Sequence, residues 1–117
     1  MPDTSTPQPP SHLSSDSREW WLEVCESHAL EPHHLRLLQL LTEAWDRCVQ
    51  ARRAVKRDGA FYVDRFGAPK AHPALDVERK ARNDFRLLLR ELGLDDAPDP
   101  GVVKPTRVRG RDFRRVG

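Results

Sequence analysis

The sequence predicts a mainly α-helical protein with three helices and a short β-hairpin or loop between the second and the third. Two observations support this fold class. Apolar residues recur at helical spacing in three stretches, and the segment between the last two stretches changes to a strand-like and turn-like pattern. The chain of 117 residues holds one domain, because two cores do not fit in this length. The predicted elements are helices at about residues 16–29, 32–58 and 73–92 and a hairpin or loop at 60–71.

The first helix is predicted to begin near Asp16. Asp16 and Glu19 fit an acidic variant of the capping box, in which side-chain oxygens accept hydrogen bonds from backbone donors of the first turn. Trp21 and Val24 then begin an apolar stripe at helical spacing. Pro32 suits the first position of the next helix, where its missing N–H group is no loss.

The second helix is the longest element that the sequence predicts. Residues 32–58 contain no internal glycine or proline, and Gly59 follows as a helix terminator. About 27 residues give a rod of roughly 40 Å. The helix carries two apolar stripes, so it is expected to pack on more than one side. Because a chain of this size has little else to cover the second side, we predict self-association into a homo-oligomer. The contact residues are predicted to be Leu37, Leu40, Leu41 and Trp45.

The third helix has the clearest boundaries in the sequence. Strand-forming residues 61–63 and a turn-like run precede it, and Pro73 occupies its predicted first position. Gly93 fits the left-handed position after a helix. Leu94 is then expected to fold back on Leu89 and complete a Schellman-type end.

The two ends of the chain are polar and rich in proline, so they are expected to be flexible. The predicted organisation is a disordered N-terminal tail at 1–14, a helical oligomerisation core at 15–95 and a flexible basic tail at 96–117. Residues 101–117 contain six basic residues and one acidic residue, a pattern typical of an arm that binds a polyanion. The predicted DNA-binding residues of this tail are Lys104, Arg107, Arg109, Arg111, Arg114 and Arg115.

Basic residues also cluster at the end of the second helix. Cations there offset the helix dipole without any ligand, and this interpretation is favoured. The same cluster can contact phosphates, and Arg53 and Arg57 are therefore kept as candidate DNA-binding residues.

The sequence shows no catalytic motif: it has no nucleophile elbow, no phosphate-binding glycine-rich loop and no His-Glu-x-x-His metal motif. We therefore predict that the protein is not an enzyme and uses no cofactor. No apolar run approaches the roughly 20 residues that span a bilayer, and no signal peptide is recognisable at the start. The protein is expected in the cytoplasm, without a membrane partner.

Cysteine and histidine residues are interpreted as structural. Cys25 and Cys48 fall on the apolar faces of predicted helices, as expected for buried thiols in a reducing compartment. His28, His33 and His34 lie close in sequence, but their spacing matches no familiar metal motif. We therefore predict no metal site.

The region from Gly59 to Leu94 resembles the small terminase subunits of tailed bacteriophages, in the group with a long helix, a hairpin, a His-Pro step and a helix ending in Leu-Gly-Leu. The likeness covers about residues 20–95. After Leu94 this chain departs from the group, whose members often continue with a Thr-Pro-Ser-Ser-Arg-like stretch, so the role of the tail is the least transferable part. The residues that carry the likeness are Gly59, Tyr62, Gly67, 70–74, 78–81, Phe85, Arg86 and 89–94.

The resemblance implies a role in viral genome packaging. Small subunits of this family form rings, hold double-stranded phage DNA and regulate the large terminase subunit, which carries the ATPase and nuclease. It also implies the cytoplasm of the bacterial host as the place of action. An alternative hypothesis is a helical protein–protein adaptor whose basic tail docks on an acidic partner without contacting nucleic acid. A sequence-specific repressor is a further alternative, but it needs a base-reading helix and no convincing one is predicted.

Overall fold

The computed structural model describes residues 6–95 and the backbone of residues 104 and 105. Three helices dominate these residues, and an antiparallel hairpin joins the second helix to the third, so the predicted fold class is confirmed. The elements are α1 (Ser15–Ser27), β1 (His28–Ala29), α2 (Pro32–Asp58), β2 (Phe61–Val63), β3 (Pro69–Ala71), α3 (Pro73–Glu91) and β4 (Lys104–Pro105).

Helix α1 begins one residue before the predicted position, and its cap differs from the prediction. The side-chain oxygen of Ser14 accepts a hydrogen bond from the backbone N–H of Ser17, at 3.1 Å. Ser14 is the N-cap because a short hydroxyl side chain in extended backbone reaches this donor. Asp16 lies inside the first turn of α1, where its negative charge favours the N-terminal end of the helix dipole.

Helix α2 has the predicted bounds and ends at Gly59, whose φ of 90° lies in the region that favours glycine. Helix α3 runs antiparallel beside it: Arg52 of α2 contacts Glu78, while Trp45, earlier in α2, contacts Phe85, later in α3. The short hairpin between the helices accounts for this arrangement, because it returns the chain at the same end of α2.

The core lies where α1 and the residues after α3 cover α2. Leu38 and Leu41 of α2 and Leu92 after α3 are fully buried. The predicted Schellman end of α3 is confirmed and places Leu92 there: Gly93 has a φ of 74°, and the backbone N–H of Leu94 donates to the carbonyl of Leu89. The other buried members of this core are Leu13, Trp21 and Val24.

The N-terminal segment packs closer to the core than the predicted disordered tail at 1–14 implies. Leu13 is only 3% exposed and belongs to the apolar core. The indole N–H of Trp21 donates to the carbonyl of Pro7 at 3.0 Å, which satisfies a buried donor that α1 alone leaves without a partner. Within residues 6–14 the correction therefore has a physical reason: the segment supplies both an apolar side chain and an acceptor to the core.

The hairpin resolves the choice between hairpin and loop that the sequence left open. Strand β2 pairs with β3 in antiparallel register, with Tyr62 opposite Lys70. Asp64 organises the turn, because its side chain accepts hydrogen bonds from the backbone N–H groups of Phe66 and Ala68, both at 2.9 Å. Gly67 follows with a φ of 81°.

A second pairing involves the C-terminal tail and was not predicted. The backbone of β4 pairs in parallel with β1, which places residues 104 and 105 beside the connection between α1 and α2. A two-residue strand that includes a proline has almost no signal in a sequence, since proline cannot donate to a ladder. The remaining residues of the predicted flexible tail at 96–117 lie outside the described residues.

Candidate nucleic-acid interface

The charge of the molecule changes sign along α2. Residues 6–46 contain seven acidic and two basic residues, a net charge of −5. Residues 47–72, which form the rest of α2 and the hairpin, contain seven basic and two acidic residues, a net charge of +5. Helix α1 packs against α2 at Leu38, Leu41 and Asp46, so the acidic group lies beside the first half of α2 and the basic group along its second half. The protein therefore has an acidic end and a basic end, and the two groups meet where Asp16 and Arg53 line one pocket.

The basic end presents cations with few competing carboxylates. Arg53 and Lys56 are exposed and form no ion pair or hydrogen bond with any residue that the structure describes. Arg57 is engaged: its Nε and Nη2 donate to Asp58 at 2.8 and 2.9 Å. This fork raises the pKa of Arg57 and lowers that of Asp58, whose carboxylate also contacts His72. Of the two predicted helix residues, Arg53 is therefore the one available to a phosphate.

A carboxylate holds two more guanidinium groups at the contact between α2 and α3. Oε2 of Glu78 accepts from Nε of Arg52 at 3.1 Å and from Nη2 of Arg82 at 2.7 Å. Both arginines remain more than half exposed, so each keeps N–H groups that face solvent. The shared carboxylate fixes their positions and so joins the basic surface of α2 to that of α3.

The outer face of α3 carries cations that were not among the predicted site residues. A shallow groove of about 440 Å³ is lined by Arg79, Lys80, Arg82 and Arg86 together with Asn83 and Asp84. Arg82 and Arg86 are one helical turn apart, and this spacing is the sequence signal that could have revealed the face. The carboxylate of Asp76 pairs with Arg79 and Lys80, so it offsets part of the positive charge of the groove.

The predicted tail residues lie almost wholly outside the described residues. Arg107, Arg109, Arg111, Arg114 and Arg115 are not described, and of Lys104 only the backbone, in β4, is described. Their assignment as DNA-binding residues stays a prediction.

The predicted oligomerisation residues separate into buried and exposed groups. Leu41 is fully buried in its own subunit, which corrects the prediction that it contacts a neighbouring copy. Leu37 is half-buried against the core. Leu40 and Trp45 remain 51% and 40% exposed, so they keep the apolar surface that the sequence assigned to α2.

The histidines and cysteines have structural surroundings. Burial, followed by the nearby His33, lowers the pKa of His34, and its neutral Nδ1 accepts from the backbone N–H of Glu31 at 2.9 Å. Nδ1 of His72 accepts from the N–H of Ala74 and caps α3. Burial raises the pKa of Cys25 to about 11, which disfavours the reactive thiolate. Within residues 6–95 no three of the His, Cys, Asp and Glu side chains are grouped to hold a metal ion. None of the helices described is long and apolar enough to cross a membrane.

These features define a class of protein: a small helical subunit with a long central helix, exposed apolar side chains and surfaces of opposite charge at its two ends. A family model described as "phage terminase, small subunit" matches residues 18–99, about 70% of the chain. The chain belongs to the family of phage terminase small subunits. Comparisons with curated proteins and with solved structures return no match. The resemblance that the sequence suggested over about residues 20–95 is thereby confirmed.

Proposed function

We propose that this terminase small subunit is a non-catalytic homo-oligomer that holds double-stranded phage DNA and regulates the large terminase subunit during genome packaging. The observation that carries the proposal is the separation of charge along α2, which concentrates cations at one end of a member of this family. The proposed place of action is the cytoplasm of the bacterial host.

The DNA part of the proposal starts from Arg53 and Lys56, whose cationic groups have no competing partner in residues 6–95. A phosphate that approaches them displaces only water and counterions. Arg82 and Arg86 on α3 extend the surface, and Arg57 contributes once its fork with Asp58 opens. The basic tail supplies further phosphate contacts. None of these side chains needs to read a base, so the binding is proposed to be governed by the DNA backbone.

Assembly increases this binding. One subunit offers a few phosphate contacts, each of them weak in physiological salt, but several copies held together act with a high effective concentration. The exposed surface of Leu40 and Trp45 supports self-association, because burial of such side chains is favourable. Light scattering is expected to show an oligomer at micromolar concentration, and a monomer there would contradict this part of the proposal.

The double variant Arg53→Ala/Lys56→Ala tests the DNA interface. We expect weaker binding to every DNA sequence and a plot of log affinity against log salt whose slope is reduced by about 2, because two phosphate contacts are lost. The measurement is a fluorescence anisotropy titration of duplex DNA at four or five salt concentrations.

The matched control is Arg18→Ala/Arg36→Ala, which removes the same charge from the acidic end. Neither side chain forms a hydrogen bond or ion pair with other described residues, so the change in net charge is equal and no described polar contact is lost. Equal losses in the two variants would show that net charge alone matters and would contradict an interface at Arg53 and Lys56.

Deletion of residues 101–117 separates the proposal from the adaptor hypothesis. If the tail contacts DNA, its loss reduces the salt dependence further while the large subunit still binds. If the tail is an adaptor arm, DNA binding is unchanged and the affinity for the large subunit falls. Titrations of the deletion variant with duplex DNA and, separately, with the large subunit distinguish these outcomes.

A further inference from the structure

We propose that the hairpin tip of one subunit docks into an aromatic groove beside the middle of α2 in a second copy of this chain. This inference rests on the self-association in the proposed function and names the two surfaces that meet. The hairpin knob is defined here as Phe61, Val63, Arg65 and Phe66, and the aromatic groove as Asp16, Ser17, Trp20, Trp45, Phe85, Leu89 and Leu94.

The hairpin knob exposes more apolar surface than a monomer needs. Phe66 is 80% exposed and Phe61 is 69% exposed, and Val63 beside them is also exposed. Large apolar side chains that cluster at one exposed site are typical of an interaction surface. The burial of even one phenylalanine in a partner supplies much of the free energy of a specific contact.

The turn that carries Phe66 is held in place before any partner arrives. The carboxylate of Asp64 accepts two backbone hydrogen bonds across the turn, and the backbone N–H of Asp64 donates to the carbonyl of Ala68 at 2.9 Å. The Arg65 guanidinium lies 5.1 Å from the centre of the Phe66 ring, in a cation–π arrangement. A rigid, exposed tip loses little conformational entropy on docking.

The aromatic groove has the shape and chemistry to accept this tip. Its volume is about 510 Å³, within the roughly 300–1,000 Å³ of ligand-binding clefts. Phe85 lies between two tryptophans, with its ring centre 5.4 Å from that of Trp45 and 6.2 Å from that of Trp20. An incoming phenyl ring finds edges and faces of three aromatic rings there.

The hairpin of a subunit does not reach the groove of the same subunit. Trp45 lies thirteen residues before the end of α2 at Asp58, a distance of about 20 Å along the helix. Strands of three residues span only about 10 Å, even if the hairpin folded back along the helices. The occupant of the groove must therefore be the knob of another copy.

The charges of the two surfaces are complementary. The knob carries Arg65 in the stretch 47–72 with its net charge of +5, and Asp16 lies at the rim of the groove. A pocket beside the groove contains a second carboxylate, Asp46, together with Arg53. Docking brings Arg65 of one copy near Asp16 of the next. This pair favours the contact of a knob with a groove, while two knobs carry like charges and repel each other.

Such a contact uses two different surfaces, so it is heterologous. Repetition of a heterologous contact gives a closed ring if the rotation between copies closes, and a filament if it does not. The same contact leaves Lys56 outside the defined interface, whereas Arg53 lies at its edge, in a pocket with Asp16 and Trp45.

The first test substitutes exposed apolar residues and measures self-association by sedimentation velocity. Phe66→Asp is expected to weaken self-association at least about tenfold without loss of helicity, because Phe66 contacts little in its own subunit. Leu87→Asp is the matched control: it puts the same charge at an exposed apolar residue outside both surfaces and outside the predicted oligomerisation residues. Normal assembly of the Phe66 variant would overturn the hairpin contact, and weaker assembly of Leu40→Asp beside it would leave the proposed oligomer standing.

The second test exchanges the charges. Arg65→Asp and Asp16→Arg are each expected to weaken assembly, and an equimolar mixture of the two variants is expected to recover it, because each contact between unlike variants pairs opposite charges. The double variant Arg65→Asp/Asp16→Arg restores an attractive pair at every contact and is expected to assemble more tightly than either single variant. Additive losses in the double variant would overturn the pairing.

The third test detects contact directly. Phe66→Cys is mixed with Leu94→Cys under mild oxidation, and a disulfide-linked dimer is expected. The native thiols give little background, because Cys48 is buried and Cys25 is partly buried with a raised pKa. Phe66→Cys mixed with Leu87→Cys, an exposed position outside the groove, is the control. Equal yields in the two mixtures would overturn the proposal. A wild-type chain that stays monomeric would contradict the assembly in the proposed function itself.

Discussion

Replacement of Leu41 by alanine is expected to lower the free energy of unfolding by about 2–5 kcal/mol. The side chain of Leu41 is fully buried in the core between α2, α1 and the residues after α3. Alanine leaves a cavity there, and the surrounding helices close it only in part. Urea denaturation followed by circular dichroism measures the change.

Leu40→Ala is the matched control, one position earlier on the same helix. Because Leu40 is about half exposed, its loss is expected to change the stability of an isolated subunit by no more than about 0.5 kcal/mol. Any larger effect should grow with protein concentration, since it then reports on assembly. A loss in Leu40→Ala that equals that of Leu41→Ala at low concentration would contradict the assignment of core and surface.

This pair of leucines also shows what the apolar pattern of a helix predicts and what it leaves open. The sequence predicted the bounds of α2, because the residues between Pro32 and Asp58 favour a helix and Gly59 ends it. It also predicted more apolar surface than one contact needs. It did not predict which leucine is covered, since Leu40 and Leu41 are adjacent and the positions of α1 and of the residues after α3 decide between them.

Short-range sequence signals also predicted both ends of α3, as Gly59 predicted the end of α2. The proline after His72 and the glycine before Leu94 act on their neighbours within a few residues, so their effect is independent of the rest of the fold. In contrast, the burial of Leu13 depends on where distant helices lie. Composition alone placed this residue in a disordered tail, and the apolar side chain was too isolated to change that prediction.

The candidate interface was predictable in part. Arg53 was found because it belongs to a run of cations in the sequence, while the competition between Arg57 and Asp58 becomes visible only in the geometry. The basic groove on α3 was missed, although Arg82 and Arg86 recur at helical spacing. Their neighbouring carboxylates give the segment almost no net charge, so a count of charges hides the groove.

Asp46→Ala is expected to lower the free energy of unfolding by about 2–4 kcal/mol, because one carboxylate holds the start of α1 against α2. It accepts hydrogen bonds from the backbone N–H of Ser14 at 2.8 Å, from the Ser14 hydroxyl at 2.7 Å and from the Ser17 hydroxyl at 2.6 Å. Ser17 is almost fully buried, so its hydroxyl is left without this acceptor in the variant. Glu43→Ala, three residues earlier, is the control: Glu43 contacts the exposed His12, and its loss is expected to cost less than about 1 kcal/mol.

The pH dependence of the stability difference between wild type and Asp46→Ala tests whether the carboxylate charge is the cause. Burial raises the pKa of Asp46, but the hydrogen bonds from Ser17 and Ser14 outweigh it and hold the pKa below the ordinary value of 3.8. A depressed pKa means that the unfolded chain takes up the proton first, so the stabilisation is complete above about pH 3.8 and is lost as the pH falls through the folded-state pKa. The difference in stability between wild type and Asp46→Ala should therefore shrink as the pH is lowered through this range. A difference that stays constant from pH 6 to pH 2 would show that the carboxylate charge contributes nothing, and that Asp46 acts only by filling space between α1 and α2.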